Sequence, residues 1–128
     1  MLRKRRFQMV DISVTAANQT VQQDTELDKN FKKVKALQVL FSNVNAVQGG
    51  TFSDGGLLIQ DKVVFDPGFQ LKMLWSNHNG VGVKERWYPM DDPAAGARLK
   101  FTFKDNGGFA AVGAAYTVTL VLELSNLD

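Results

Sequence analysis

Tyr116-Thr117-Val118-Thr119-Leu120-Val121-Leu122-Glu123-Leu124 is the longest clean alternation in the chain. Tyr116, Val118, Leu120, Leu122 and Leu124 fall on one face, and Thr117, Thr119, Val121 and Glu123 on the other. A two-residue period is the mark of a strand with one face in a core, because successive side chains leave a pleated backbone on opposite sides. This reading turns Leu120 inward with its alternate neighbours and Glu123 outward. The same period recurs upstream: Val10, Ile12 and Val14 alternate with Asp11, Ser13 and Thr15, Leu37, Val39 and Phe41 with Ala36, Gln38 and Leu40, and Leu99, Phe101 and Phe103 with Lys100, Thr102 and Lys104. Short runs at 57–59 and 62–65 flank Gln60-Asp61, a plausible tight turn, and further runs fall at 69–73 and 84–88.

Clusters of turn formers separate these runs: Gly49-Gly50, Asp54-Gly55-Gly56, Asp66-Pro67-Gly68, Asn77-His78-Asn79-Gly80 and Asp105-Asn106-Gly107-Gly108. Only residues 25–31, with Leu27 and Phe31 four apart, read as helical, and for one or two turns at most. Eight antiparallel strands joined by connections of unequal length predict an all-β, two-sheet antiparallel sandwich. An eight-stranded single jelly roll fits better than an up-and-down barrel, whose connections would be uniformly short.

At 128 residues the chain is one domain or a domain with an arm, able to bury on the order of 70% of its unfolded surface without disulfide or metal. The absence of Cys excludes a disulfide framework, a thiol nucleophile and thiolate metal sites. No apolar run is long enough to span a membrane as a helix, and no signal peptide follows the basic start, so a soluble product of the cytoplasm is expected. The net charge of +2 is unevenly placed. Arg3, Lys4, Arg5 and Arg6 carry four positive charges at the start, and the rest of the chain holds 11 basic and 13 acidic side chains. Residues 1–8 therefore read as a basic N-terminal arm on a domain of residues 9–128, the arm suited to phosphates of nucleic acid or anionic lipid.

Chemistry is thinly represented. His78 is the sole imidazole and lies among turn formers, so a two-His metal site within one chain is impossible. Asp91-Asp92-Pro93 reads as a loop before proline, with adjacent carboxylates pointing apart. The chain has no Gly-x-Ser-x-Gly elbow and no strand opening into a helix through a glycine-rich loop. No catalytic residue, metal site or cofactor is assigned, and no enzymatic activity is expected. Among the aromatics, Phe65, Phe69, Phe101 and Phe103 fall at core spacing. Trp75, Trp87, Tyr88 and Phe109 lie at strand ends or beside glycine, which points either to a subunit interface or to side chains that seal the ends of the sandwich. The rival use of Trp75 and Trp87 is as stacking platforms of a carbohydrate-binding module or glycosidase.

The whole layout resembles the single jelly-roll capsid proteins of tailless icosahedral viruses and phages, particularly penton-type proteins at the fivefold vertices. The residues that carry the likeness are the basic start, a first strand at 10–14, the excursion at 28–31, the Phe65-Asp66-Pro67-Gly68-Phe69 turn and the last strand at 116–124. The resemblance implies a virion protein made in the host cytoplasm, forming a homo-oligomer, a pentamer, that plugs a vertex of the major capsid protein. Its arm would face packaged nucleic acid or an internal membrane. No catalytic residue comes with the family, and no spike-attachment segment is recognisable.

Overall fold

The structure, a computed structural model, describes residues 5–42, 50–70 and 87–126. Its elements are β1 (Arg5–Val14), β2 (Thr20–Glu26), β3 (Lys33–Phe41), β4 (Gly50–Ile59), β5 (Lys62–Phe65), β6 (Tyr88–Pro93), β7 (Arg98–Asp105), α1 (Gly108–Val112) and β8 (Tyr116–Ser125). They form two four-stranded sheets, one in the order β1-β8-β3-β6 and the other β2-β7-β4-β5. All pairings are antiparallel. The molecule is an all-β, two-sheet antiparallel sandwich.

Four nested pairs generate this order: β1 with β8, β2 with β7, β3 with β6 and β4 with β5. Two further pairings, β3 with β8 and β4 with β7, close each set into a sheet. The innermost pair is a hairpin turning on Gln60-Asp61, both with positive φ (54° and 64°), and its ladder starts at Ile59 and Lys62. Such left-handed pairs match the twist of a two-residue hairpin. After β5, Asp66-Pro67-Gly68-Phe69 forms a turn in which Pro67 fixes one φ and Gly68 takes a φ of 90°. The Phe69 N–H closes it by donating to the Asp66 carbonyl at 3.2 Å.

The core lies between the sheets. Val10, Ile12 and Val14 of β1, Leu37 and Val39 of β3, and Tyr116, Val118, Leu120, Leu122 and Leu124 of β8 meet Phe52, Leu57, Ile59, Leu99, Phe101 and Phe103 of the opposite sheet. The inward face expected for β8 is present, and Phe65, Phe101 and Phe103 are buried as expected, with Phe69 packed against them. Phe52 is the centre of the aromatic cluster, with Phe65, Phe69 and Phe101 at ring distances of 5.9, 6.4 and 5.6 Å.

Several expectations need correction. Residues 25–31 are not helical: they end β2 and enter a turn in which the Asn30 N–H donates to Asp28 Oδ1 and the Phe31 N–H to the Asp28 carbonyl. Leu27 and Phe31 are both buried, by a turn and not by a helix face. A short helix, α1, lies instead in the glycine-rich stretch, bounded by left-handed Gly107 and Gly113. Asp54-Gly55-Gly56 does not end a strand. It is an irregularity inside β4, where the register with β7 passes from Ser53↔Thr102 to Leu57↔Phe101. Asp91-Asp92-Pro93 belongs to β6, an edge strand, where proline costs no ladder bond if its nitrogen faces away from the neighbour. β1 begins at Arg5, so the arm boundary expected at residue 8 falls within a strand. The run at 69–73 is described only through Gln70, bridged to Thr51, and that at 84–88 only from Trp87. No helix among the described residues is long and apolar enough to cross a membrane.

Candidate functional site

Of the four cations at the start, Arg3 and Lys4 lie outside the described residues. Alternation along β1 sends the other two in opposite directions. Arg6 turns toward the edge between the sheets and donates to Asp28 Oδ2 at 2.5 Å. The Asn30 backbone N–H, and after it the Arg6 guanidinium, hold the Asp28 carboxyl below the usual carboxylate range. Gln8, on the same face as Arg6, accepts from the Asp28 N–H and donates to the Glu26 carbonyl, so this edge is laced to β2 and the turn beyond it. Arg5 faces outward, 3.8 Å from Glu123 across the β1–β8 ladder.

The outward face of the β1-β8-β3-β6 sheet is more apolar than its strand pattern advertises. Phe7 and Met9 are exposed there at 47% and 64%, and Leu40 is a third exposed apolar side chain on the same face. Register places Phe7 opposite Glu123, Met9 opposite Val121, and Val121 opposite Gln38. Trp87, which immediately precedes β6, stacks on Phe7 with ring centroids 5.5 Å apart. β1 and β6 are the two edges of this sheet, so that contact spans its outward face. Val121 and Ala36, whose neighbours in the ladder face outward, are accordingly buried at 5% and 7%.

The remaining interface candidates are dispersed. Tyr88, exposed, turns to the other side of β6 and meets Phe65 at 5.3 Å. Phe109 sits on α1 and packs partly against the core. Trp75 lies outside the described residues, as does His78. Asp91 accepts from Lys35 and lies 3.2 Å from both Lys33 and Lys35, Lys35 being the larger cause of its depressed pKa. Asp92 points the opposite way, 3.7 Å from Lys62 of the second sheet. The two carboxylates therefore diverge, Asp91 to Lys33 and Lys35 and Asp92 to Lys62.

Two features were not singled out from the sequence. Asp105 is fully buried and accepts three hydrogen bonds: the Asn18 N–H donates to Oδ2 at 3.0 Å, the Phe109 N–H to Oδ1 at 3.0 Å, and the Tyr116 hydroxyl to Oδ1. Burial, and then the adjacent carboxylate, push the Tyr116 phenol above its ordinary pKa. The three donors come from the β1–β2 connection, α1 and β8, so one carboxylate ties three elements at one end of the sandwich. The second feature is a depression of about 260 Å³ on the outward face of the other sheet, lined by Gln22, Asp24, Gly56, Leu58, Lys100 and Thr102. It opens beside the irregularity in β4. Its only sequence signal was the glycine pair at 55–56, which reads equally as a turn.

Among the described residues no group of three or more His, Cys, Asp or Glu side chains could hold a metal ion. The chain matches no family model, no curated protein and no solved structure.

Proposed function

We infer that the chain is a structural virion protein, a jelly-roll capsid component of a tailless icosahedral phage or virus that works in a symmetric homo-oligomeric ring of the penton type. The observation carrying this reading is the set of four nested strand pairs. A long hairpin of eight strands rolled on itself gives two four-stranded sheets in the order found here, and that is how a jelly roll is made. A ring needs heterologous contacts, one flank of a subunit against a different flank of its neighbour. The β5–β6 side, with Tyr88 exposed beside Phe65, is a suitable apolar flank. The partners in this reading are further copies of the chain, a major capsid protein, and packaged nucleic acid or an internal membrane reached through Arg3 and Lys4.

A second reading, a carbohydrate-binding sandwich, is favoured by the polar depression of Gln22, Asp24, Lys100 and Thr102, whose amide, carboxylate, ammonium and hydroxyl groups suit a polyhydroxylated ligand. It gains little from Trp87, which is engaged with Phe7. Light scattering combined with a glycan array separates the two. A closed ring that binds no glycan is expected, and a strict monomer that binds a sugar overturns the capsid reading.

A further inference from the structure

We propose that the outward face of the β1-β8-β3-β6 sheet is a self-complementary docking surface for a second copy of the chain. Phe7 and Met9 stay exposed on this face although Trp87 stacks on Phe7 and Val121 and Ala36 are shielded, and Leu40 adds an exposed apolar side chain two strands away. Exposed apolar surface such as Met9 beside the Phe7–Trp87 stack marks a contact with another macromolecule.

The charges around the patch identify the occupant. Along β1 the outward residues run Arg5, Phe7, Met9, Asp11, so a cation and an acid stand at equal distances from the midpoint of the two apolar side chains. A twofold axis lying in the interface at Gln8, perpendicular to the strands, sets β1 against β1 of the second copy in the opposite direction. It brings the Phe7–Trp87 stack onto the other copy's Met9 and Arg5 onto the other copy's Asp11, each contact occurring twice. That reciprocity is what an isologous interface requires. Asp11 is held for the purpose: its carboxylate accepts from the Thr119 hydroxyl at 2.7 Å, which fixes it on this face and leaves lone pairs for a cation. Arg5, 58% exposed and only loosely paired to Glu123 at 3.8 Å, is free to reach it.

The pairing does not rest on the shell reading, and its test uses the full chain. Sedimentation equilibrium from about 5 to 500 µM should give a dimer, or a particle with an even number of copies, of micromolar or tighter affinity. Met9→Lys, a change at an exposed position that leaves the fold intact by circular dichroism, should halve the mass or raise the dissociation constant at least about tenfold. Arg5→Glu and Asp11→Arg should each weaken association, and the double variant should recover to within about threefold of the parent. Three results overturn the proposal: a strict monomer at the highest concentration, which leaves the face to another part of the chain or another protein; a mass indifferent to Met9→Lys; or charge reversals without effect singly or without rescue when combined. A ring of unchanged mass in Met9→Lys would sink the pairing and leave the ring, whereas a plain dimer that dissociates would do the reverse.

Discussion

Asp105 shows how a residue can be plain in sequence and decisive in the fold. In Asp105-Asn106-Gly107-Gly108 it reads as a turn former, because aspartate is common in turns and nothing local distinguishes this one. Its partners lie at positions 18, 109 and 116, and the first of these is 87 residues away. Replacing it with Asn should destabilise the protein by about 1–3 kcal/mol, since one oxygen can still accept from Tyr116 and Phe109 while the amide then faces the Asn18 N–H donor to donor. Asp105→Ala, which strands all three donors, should cost more, and urea midpoints rank the pair. Gly108 belongs to the same knot: a Cβ there would stand 2.7 Å from the Tyr116 hydroxyl oxygen and 2.9 Å from Asp105 Oδ1, so Gly108→Ala should also lower the midpoint. Asp28 gives a pH signature. Its carboxyl pKa is lower in the folded chain than its ordinary value of 3.8, so its contribution to stability is present above that value and is lost as pH falls through the folded one. The melting temperature of Asp28→Asn should lie below that of the parent at pH 7, and the gap should close as pH falls below 3.8 and through the lower folded value.

Among the elements, those with a dry apolar face were readable, the edge strand β1 included, and the edge strands β2 and β6 were not. β8 lies between β1 and β3, both of its edges paired and its inward side chains buried, so its alternation survives in the residues themselves. Leu120→Lys should cost about 3 kcal/mol or more through an unpaired buried charge, and normal folding of that variant would mean the strand sits in another register. β2 is an edge strand with Val21 as its only large apolar residue. Its pairing to β7 depends on backbone bonds that every residue type offers, and so it leaves no pattern. β6 is obscured by Pro89 and Pro93, which an edge tolerates and a central strand does not. The β4 irregularity is likewise invisible locally, because it exists only relative to β7. Two glycines there make a paired test. Gly56 has a φ of 79° and a Cβ would fall 1.9 Å from the Phe65 carbonyl oxygen, whereas Gly55, at 99°, has nothing nearer than 3.9 Å. Both Ala variants bear the cost of a left-handed backbone, of order 1 kcal/mol, but Gly56→Ala must also displace the β4–β5 ladder. It should be the worse of the two by a clear margin in thermal denaturation, and equal effects would mean that β5 is not held against the irregularity.

At the scale of the whole molecule, the nested pairing brings the two ends of the described chain together, Arg5 opposite Ser125, and this changes what the charge asymmetry can do. Sequence alone counts four cations in an arm. The sheet claims two of them, since Arg6 is bound to Asp28 and Arg5 stands beside Glu123, or meets Asp11 of a second copy in the proposed pair. An arm that neutralises phosphates with all four would lose affinity with a log-log salt slope of about −3 to −4, whereas one limited to Arg3 and Lys4 gives about −1.4 to −1.8. The smaller slope is expected for binding to single- or double-stranded nucleic acid, measured by fluorescence anisotropy across a salt series. Removal of residues 1–4 should abolish that binding and keep every ladder pair of the described residues, which begin at Arg5. Removal of residues 1–6 should also lower the melting temperature, since it takes away two ladder pairs and the partner of Asp28. A slope near −4 would mean that Arg5 and Arg6 leave their carboxylates for phosphate, at a cost to the β1 edge that should then appear as a lower melting temperature in the complex. Binding that survives the shorter truncation at full strength would place the polyanion site elsewhere on the molecule and end the case for a basic arm.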